Sequence, residues 1–192
     1  MKYLFLFCAG WLSVSLNAQQ WTKQYDNVDD CTCGLALVSK GEKHGFVTKD
    51  GKLVIPLIYD EALHFNEGMA AVKKDGKWGY LDTTGKEVIA LQYDDANTFT
   101  DGLAAVMKNG KYGFIDVTGK TIIPFIYENA YSFSESLAAV NKNGMWGYID
   151  KAGKEAITCN YSFANSFSEG AAKVMKGGKW LVIDKNGKLM EQ

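Results

Sequence analysis

The feature that most limits what this chain can fold into is a tandem repeat with a period of 34 residues. Trp78-Gly79-Tyr80 recurs after that interval as Tyr112-Gly113-Phe114 and again as Trp146-Gly147-Tyr148. One step back stands His44-Gly45-Phe46, and one step beyond the last copy stands Trp180-Leu181-Val182. Because a unit of this size cannot bury its own apolar residues, such units must be covered by their neighbours.

Other positions repeat with the same period, and we call each set of equivalent residues a column. The gap-free columns include Tyr25, Tyr59, Tyr93, Tyr127 and Tyr161; Phe65, Phe99, Phe133 and Phe167; and Gly51, Gly85, Gly119, Gly153 and Gly187. Counted from the tyrosine column, the predicted units are 25–58, 59–92, 93–126, 127–160 and 161–192. The end units deviate, with Cys31 in the phenylalanine column, His44 in the tryptophan column and Leu181 in the motif glycine column, as terminal repeats often do.

Each unit contains a strong hairpin signal. A type I′ turn needs positive φ at both central residues, which Asn-Gly and Asp-Gly tolerate best. The dipeptides at this point are Asp75-Gly76, Asn109-Gly110 and Asn143-Gly144. A two-residue loop predicts a register that pairs Lys73 with Trp78 and Val72 with Gly79.

The rest of the unit predicts a second turn, a third strand and an irregular segment. Asp82 can cap a turn in which Gly85 takes the left-handed position, and a third strand follows at 87–90. The spacing of Tyr93, Ala96 and Phe99 favours a tight helical turn over a strand. Each unit is therefore predicted to be a three-stranded meander plus this turn.

The predicted fold class is all-β, with the three-stranded units stacked in an open array. The alternative is a closed, propeller-like ring. Propeller blades have four strands and run to about 40–50 residues. A period of 34 residues is shorter than that and favours the open array.

The N-terminus predicts export. Lys2 precedes an apolar stretch, 3–16, that is too short to span a bilayer, and Ala18 suits the position before a signal-peptidase cut. Residues 1–18 are therefore predicted to be a signal peptide and 19–24 a short mature N-terminal segment. A lipid-anchor role for Cys8 is the alternative. The expected location is the periplasm, the cell surface or the medium, with no membrane span in the mature chain.

Charge and cysteine content exclude several classes of function. The net charge is −1 and the lysines are dispersed, so no electrostatic footprint for nucleic acid is present. Cys31, Cys33 and Cys159 remain after cleavage, and this odd number predicts either a local disulfide or buried free thiols. With His44 and His64 as the only histidines, neither a zinc site nor a Ser-His-Asp set is indicated. We predict no catalytic residues, no metal and no cofactor.

These residues resemble the WG-repeat family of bacterial proteins. The matching elements are the segments 76–86, 110–120 and 144–154, the Ile-Pro-x-x-Tyr at 55–59 and 123–127, and the segment 99–106. The resemblance covers nearly all of the mature chain. It implies an interaction repeat, without catalytic residues to carry over.

The column Trp78, Tyr112, Trp146 and Trp180 is the candidate binding surface. The competing interpretation, which we favour, is that these rings form the core between repeats, because aromatic side chains bury large areas. The leading functional hypothesis is an exported, non-enzymatic scaffold that binds a protein partner. The alternative is a glycan-binding or cell-wall-binding module that uses the aromatic column.

Overall fold

The structure, a computed structural model, describes residues 20–190 and is built almost entirely of antiparallel β-sheet. The predicted signal peptide, Cys8 and residue 19 lie outside the described residues. A single 3₁₀ turn, Trp21–Gln24, precedes five sheets that follow one another along the chain. The predicted all-β fold of stacked units is confirmed.

The strands are short and are numbered in chain order. The first sheet contains β1 (Asn27–Thr32), β2 (Leu35–Lys40), β3 (Lys43–Thr48) and β4 (Leu53–Tyr59). The second contains β5 (Glu61–Ala62), β6 (Met69–Lys74), β7 (Lys77–Asp82) and β8 (Glu87–Tyr93). The third contains β9 (Asp95–Ala96), β10 (Leu103–Lys108), β11 (Lys111–Asp116) and β12 (Thr121–Tyr127). The fourth contains β13 (Asn129–Ala130), β14 (Ala138–Lys142), β15 (Met145–Ile149) and β16 (Glu155–Tyr161). The fifth contains β17 (Phe163–Ala164), β18 (Ala171–Lys176) and β19 (Lys179–Asp184).

The central hairpin of each sheet has the predicted register. Lys73 pairs with Trp78 and Val72 with Gly79. The turn between β6 and β7 has φ of 53° at Asp75 and 76° at Gly76, as a type I′ turn requires. The local turn chemistry therefore fixes which side chains share a face of the sheet.

The predicted helical turn after each tyrosine is wrong, because a short strand stands there instead. Ala96 pairs with Val106, and the Asn97 N–H donates to the Ala105 carbonyl oxygen at 2.9 Å. The chain then leaves the sheet, so that Phe99 can reach the preceding one. Four of the five sheets consequently have four strands. In each of these sheets the fourth strand ends at a residue of the tyrosine column, which was predicted to begin a unit.

Successive sheets are joined by the phenylalanine column. Each of these side chains is at most 2% exposed and packs on a ring of the preceding sheet. The ring pairs, with centroids 4.7–5.0 Å apart, are Phe46–Phe65, Tyr80–Phe99, Phe114–Phe133 and Tyr148–Phe167. Among the described residues, no cluster of buried side chains joins the first sheet to the fifth, so the stack is open.

The N-terminal segment covers the outer side of the first sheet. Trp21 packs with Tyr25 against a small cluster that contains Val38 and Val47. A Cβ atom on Gly51 would come within 2.4 Å of the Trp21 ring. At the equivalent turn of the next unit, Gly85 is covered by Ile55 of the preceding sheet. Trp21 therefore covers the turn of the first unit as Ile55 covers the turn of the second.

Candidate functional site

The structure separates the four members of the aromatic column by burial. Trp78 and Trp146 are only 5% and 7% exposed, and Tyr112 is half-buried. Trp180, in the fifth sheet, is 53% exposed. The column therefore supplies core side chains in the second to fourth sheets and an accessible indole in the fifth.

Trp78, Tyr112 and Trp146 each make different contacts with their neighbours in the sheet. We define a lateral row as the residues that pair side by side across the strands of one sheet, such as Glu61, Lys73, Trp78 and Tyr93. In this row Lys73 forms an ion pair with Glu61 at 2.6 Å and lies over the Trp78 ring.

The next two rows satisfy their aromatic member in other ways. In the third sheet, Tyr112 donates a hydrogen bond to Asp95. Burial is the main cause that raises the pKa of Tyr112 above its usual range, and Asp95 adds to it. In the fourth sheet, Tyr131 stacks on Trp146 with centroids 4.9 Å apart.

Trp180 is exposed because the fifth sheet, within residues 20–190, has three strands instead of four. In the other sheets the fourth strand passes so close to the motif glycine that a side chain cannot be accommodated. A Cβ atom on Gly147, for example, would lie 2.6 Å from the Ile157 carbonyl oxygen. On that side of β19 the described residues form a bridge between Ile183 and Leu189 and a hydrogen bond from the Met190 N–H to the Val182 carbonyl oxygen. Leu181 takes the glycine position there.

A groove of about 460 Å³ opens beside the Trp180 indole. It is lined by Asn165, Lys173, Trp180, Leu181 and Val182. Phe163 supports the indole edge-on, with ring centroids 5.6 Å apart. We call this surface the fifth-sheet groove.

Lys173 gives the fifth-sheet groove its positive charge. In the second to fourth sheets the same position holds alanine, and these fully buried residues are Ala71, Ala105 and Ala139. Lys173 is exposed. Lys173 was not among the residues predicted from the sequence, although a lysine in a column of alanines indicates that this position is not buried in the fifth unit.

A second series of contacts between sheets has its last member in the fifth unit. The Glu67 carboxylate accepts a hydrogen bond from the Gly102 N–H of the next unit at 2.9 Å. Asp101 and Glu135 accept equivalent bonds one and two units later. Glu169 is the next member of this column, and its carboxylate has no hydrogen-bond partner within residues 20–190.

The recurring aspartates of the second turn have a structural role. The Thr84 hydroxyl and neighbouring backbone N–H groups donate to Asp82 and hold the pKa of its carboxyl below its usual range. Asp116 is held in the same way by Thr118 and Lys120. Such a carboxylate caps its own turn.

The cysteines and histidines of the described chain form no joint site. Cys31 and Cys33 are exposed and free, and burial raises the pKa of the Cys159 thiol to about 11. No group of three or more His, Cys, Asp or Glu residues in the described part of the chain is placed to hold a metal ion. Within the same residues, no helix has the length and apolar character needed to cross a membrane.

Solved structures with a similar fold come from distant proteins. Hsv2 of Kluyveromyces lactis is 11% identical, with a TM-score of 0.54 over 82% of this chain and 59% of that protein. A eukaryotic initiation factor is 10% identical, with a TM-score of 0.57 over 88% of this chain and 55% of that one. The N-terminal domain of Nup159 is 11% identical, with a TM-score of 0.52 over 83% and 58%. The chain thus spans less than two thirds of each structure, and the likeness shows a β-propeller-like fold alone.

The comparison with curated protein sequences found no match. The WG containing repeat family matches residues 45–78, 78–112, 112–146 and 146–180. These consecutive matches have the period found in the sequence and cover well over half of the chain. The protein therefore belongs to the WG containing repeat family.

Proposed function

We propose that this protein is an exported, non-enzymatic scaffold that binds a protein partner in the fifth-sheet groove. The observation that carries the proposal is the difference in exposure within one column, 53% for Trp180 against 5% for Trp78. A large exposed aromatic in a concave surface is typical of the central residues of protein interfaces. The repeated sheets would serve as the rigid support.

The contacts between internal sheets indicate what the groove accepts. Each internal sheet receives a phenylalanine ring from the next unit, and its own unit supplies a carboxylate that accepts a backbone N–H of that next unit. In the fifth sheet, Val182 and the Glu169 carboxylate occupy these positions without a following unit among the described residues. A partner loop that presents an aromatic or aliphatic side chain and a free backbone N–H would satisfy both.

Lys173 adds a requirement on charge. Its side chain lines the groove at the position where the internal sheets hold buried alanine. An acidic side chain beside the apolar one would pair with it, which gives the partner a specific sequence character. We therefore expect a partner segment with an apolar anchor next to an acidic residue.

The test is photo-crosslinking from the groove. A photoreactive amino acid at position 181, in the mature chain expressed in its own cell envelope, should crosslink one protein reproducibly. Trp180→Ala and Lys173→Glu should each abolish that crosslink. Ile126→Ala is the matched control, because Ile126 is an apolar side chain that is 43% exposed on the third sheet, outside the groove.

Two results would contradict the proposal. One is a crosslink pattern that Trp180→Ala leaves unchanged. The other is a loss of binding in Ile126→Ala with none in Trp180→Ala, which would place the partner on the outer strands.

A glycan is the second candidate ligand, and the placement of Asn165 favours it. The exposed Trp180 ring can stack on a sugar face while the amide of Asn165 bonds to hydroxyl groups. A panel of glycans and peptidoglycan fragments should then quench tryptophan fluorescence in the wild type and not in Trp180→Phe. No response to any sugar would exclude this function.

A further inference from the structure

The first sheet has its fourth strand, and it nevertheless contains a cavity beside His44, the residue equivalent to Trp180. The lateral row of the first sheet is Asn27, Ser39, His44 and Tyr59, paired across β1 to β4. In the second to fourth sheets the residue at the position of His44 is a tryptophan or tyrosine that is buried or half-buried. The replacement of an indole by an imidazole leaves space beside the row.

A cavity of about 290 Å³ occupies this space. Its lining includes Asn27, Asp29, Leu37, Ser39, His44 and Ala62. The first two are exposed and lie on the edge strand β1, and His44 is half-buried. Ser39, at 6% exposure, is the one polar residue classed as buried in the described part of the chain.

The polar groups of the cavity are incompletely paired. The Asn27 amide nitrogen donates to the Ser39 hydroxyl at 3.0 Å, which leaves the Asn27 carbonyl oxygen free to accept. The His44 Nδ1 atom is buried without a hydrogen-bond partner among the described residues. A buried polar atom left unpaired costs about 1–3 kcal/mol, so this row is less well satisfied than a fully paired one.

The equivalent rows of the next three sheets need no ligand. The second sheet fills the position with Trp78 and the third with Tyr112 bonded to Asp95. The fourth fills it with Trp146 under the Tyr131 ring. A polar lateral row with an unfilled cavity therefore distinguishes the first sheet from the next three.

The lining selects for a donor-rich cation. Asp29 supplies the only full charge in the lining, which is negative, and the Asn27 carbonyl oxygen is a further acceptor. The volume lies just below the usual range of about 300–1,000 Å³ for drug-sized ligands. We propose that this cavity binds a primary ammonium group, carried by a small amine or by a lysine side chain.

The probe for the test is n-butylammonium, titrated into the mature protein at constant ionic strength. The imidazole C–H signals of His44 should shift saturably in NMR spectra. His64 is the internal control, because it is exposed on another unit and should not respond. The neutral isostere 1-butanol should produce no saturable shift.

Variants test the charge and the space separately. Asp29→Asn should weaken binding by about tenfold or more, because the ammonium loses its counter-ion. Ser39→Met should abolish binding by filling the cavity with the residue that stands there in the third and fifth units, Met107 and Met175. The fold of each variant is checked by the unchanged His64 signals.

Several results would overturn the inference. They are the absence of a saturable shift at His44, equal binding by Asp29→Asn, or equal binding by 1-butanol. A lysine-containing tripeptide and its acetyl-lysine analogue distinguish the two sources of the ammonium group. If the tripeptide binds more tightly than butylammonium, the natural ligand is a protein side chain; if it does not bind, the ligand is a free amine. Trp180→Ala should leave all these results unchanged, so failure here and failure of the proposed function are distinguishable.

Discussion

Substitution of the motif glycine of the second sheet by alanine should strongly destabilise the fold. The fourth strand β8 carries two extra residues opposite Gly79, because Trp78 pairs with Tyr93 while Tyr80 pairs with Ile89. A Cβ atom on Gly79 would lie 2.6 Å from the Ile89 carbonyl oxygen and 2.8 Å from the Leu91 nitrogen. Both atoms belong to the backbone, so no rotamer change can relieve the contact.

The expected cost of Gly79→Ala is about 2–4 kcal/mol. Overpacking in a well-ordered core typically costs about 1–3 kcal/mol. Displacement of β8 also weakens the adjoining ladder hydrogen bonds, each of which contributes about 1 kcal/mol. With an m-value of about 2–3 kcal/mol per M, the urea midpoint should fall by about 0.7–2 M.

The measurement is urea unfolding followed by tryptophan fluorescence and by far-UV circular dichroism. The matched control is Leu181→Ala, which changes the same column in the fifth sheet, where no fourth strand packs closely. Because Leu181 is only half-buried, this control should cost about 1 kcal/mol or less. A loss of less than about 0.5 kcal/mol in Gly79→Ala would refute the reasoning about close backbone approach.

Two further predictions concern columns in which one unit departs from the others. Ser136 has φ of 72°, whereas the equivalent residues of the other units are glycines. Ser136→Gly should therefore raise the free energy of unfolding by about 0.5–1 kcal/mol, and Gly102→Ser should lower it by a similar amount. Thermal melts measure both changes. Lys77 pairs with Asp94 across two sheets at 2.5 Å, whereas Met145 and Ser162 stand at the equivalent positions. The double variant Met145→Lys with Ser162→Asp should raise the Tm by about 1–2 °C at low salt. This gain should disappear in 1 M NaCl, because salt screens the new ion pair. Equal gains from the two single variants would contradict an ion pair between the two side chains.

The parts of the fold that depend on local chemistry were predictable from the sequence. The Asp75-Gly76 turn and the Asp82 cap are decided by residues next to one another in the chain, and both are present as predicted. The strand Asp95–Ala96 was not predictable in the same way, because two residues are too few to show a period. Its place is set by Phe99, which must reach the preceding sheet.

The burial of the candidate site residues could not be predicted from local sequence either. The columns identify Trp78 and Trp180 as equivalent, and their burial differs only because a fourth strand and a following unit cover one of them. The sequence of neighbouring columns nevertheless indicates this difference in burial. Lys173 among alanines and Leu181 among glycines both indicate a sheet that is not covered like the others.

The phenylalanine column also gives the chain a direction of assembly. The ring that completes the core around Tyr80 belongs to Phe99, and the ring that covers Phe114 belongs to Phe133. During synthesis, the core of a sheet is therefore incomplete until the beginning of the next unit follows it. We therefore expect the stack to fold from the N-terminal end, where Trp21 covers the turn of the first unit, with each sheet completed by the unit that follows it. A truncation between units would expose the last remaining sheet, whereas a truncation just after a phenylalanine of this column would leave the sheet before it closed.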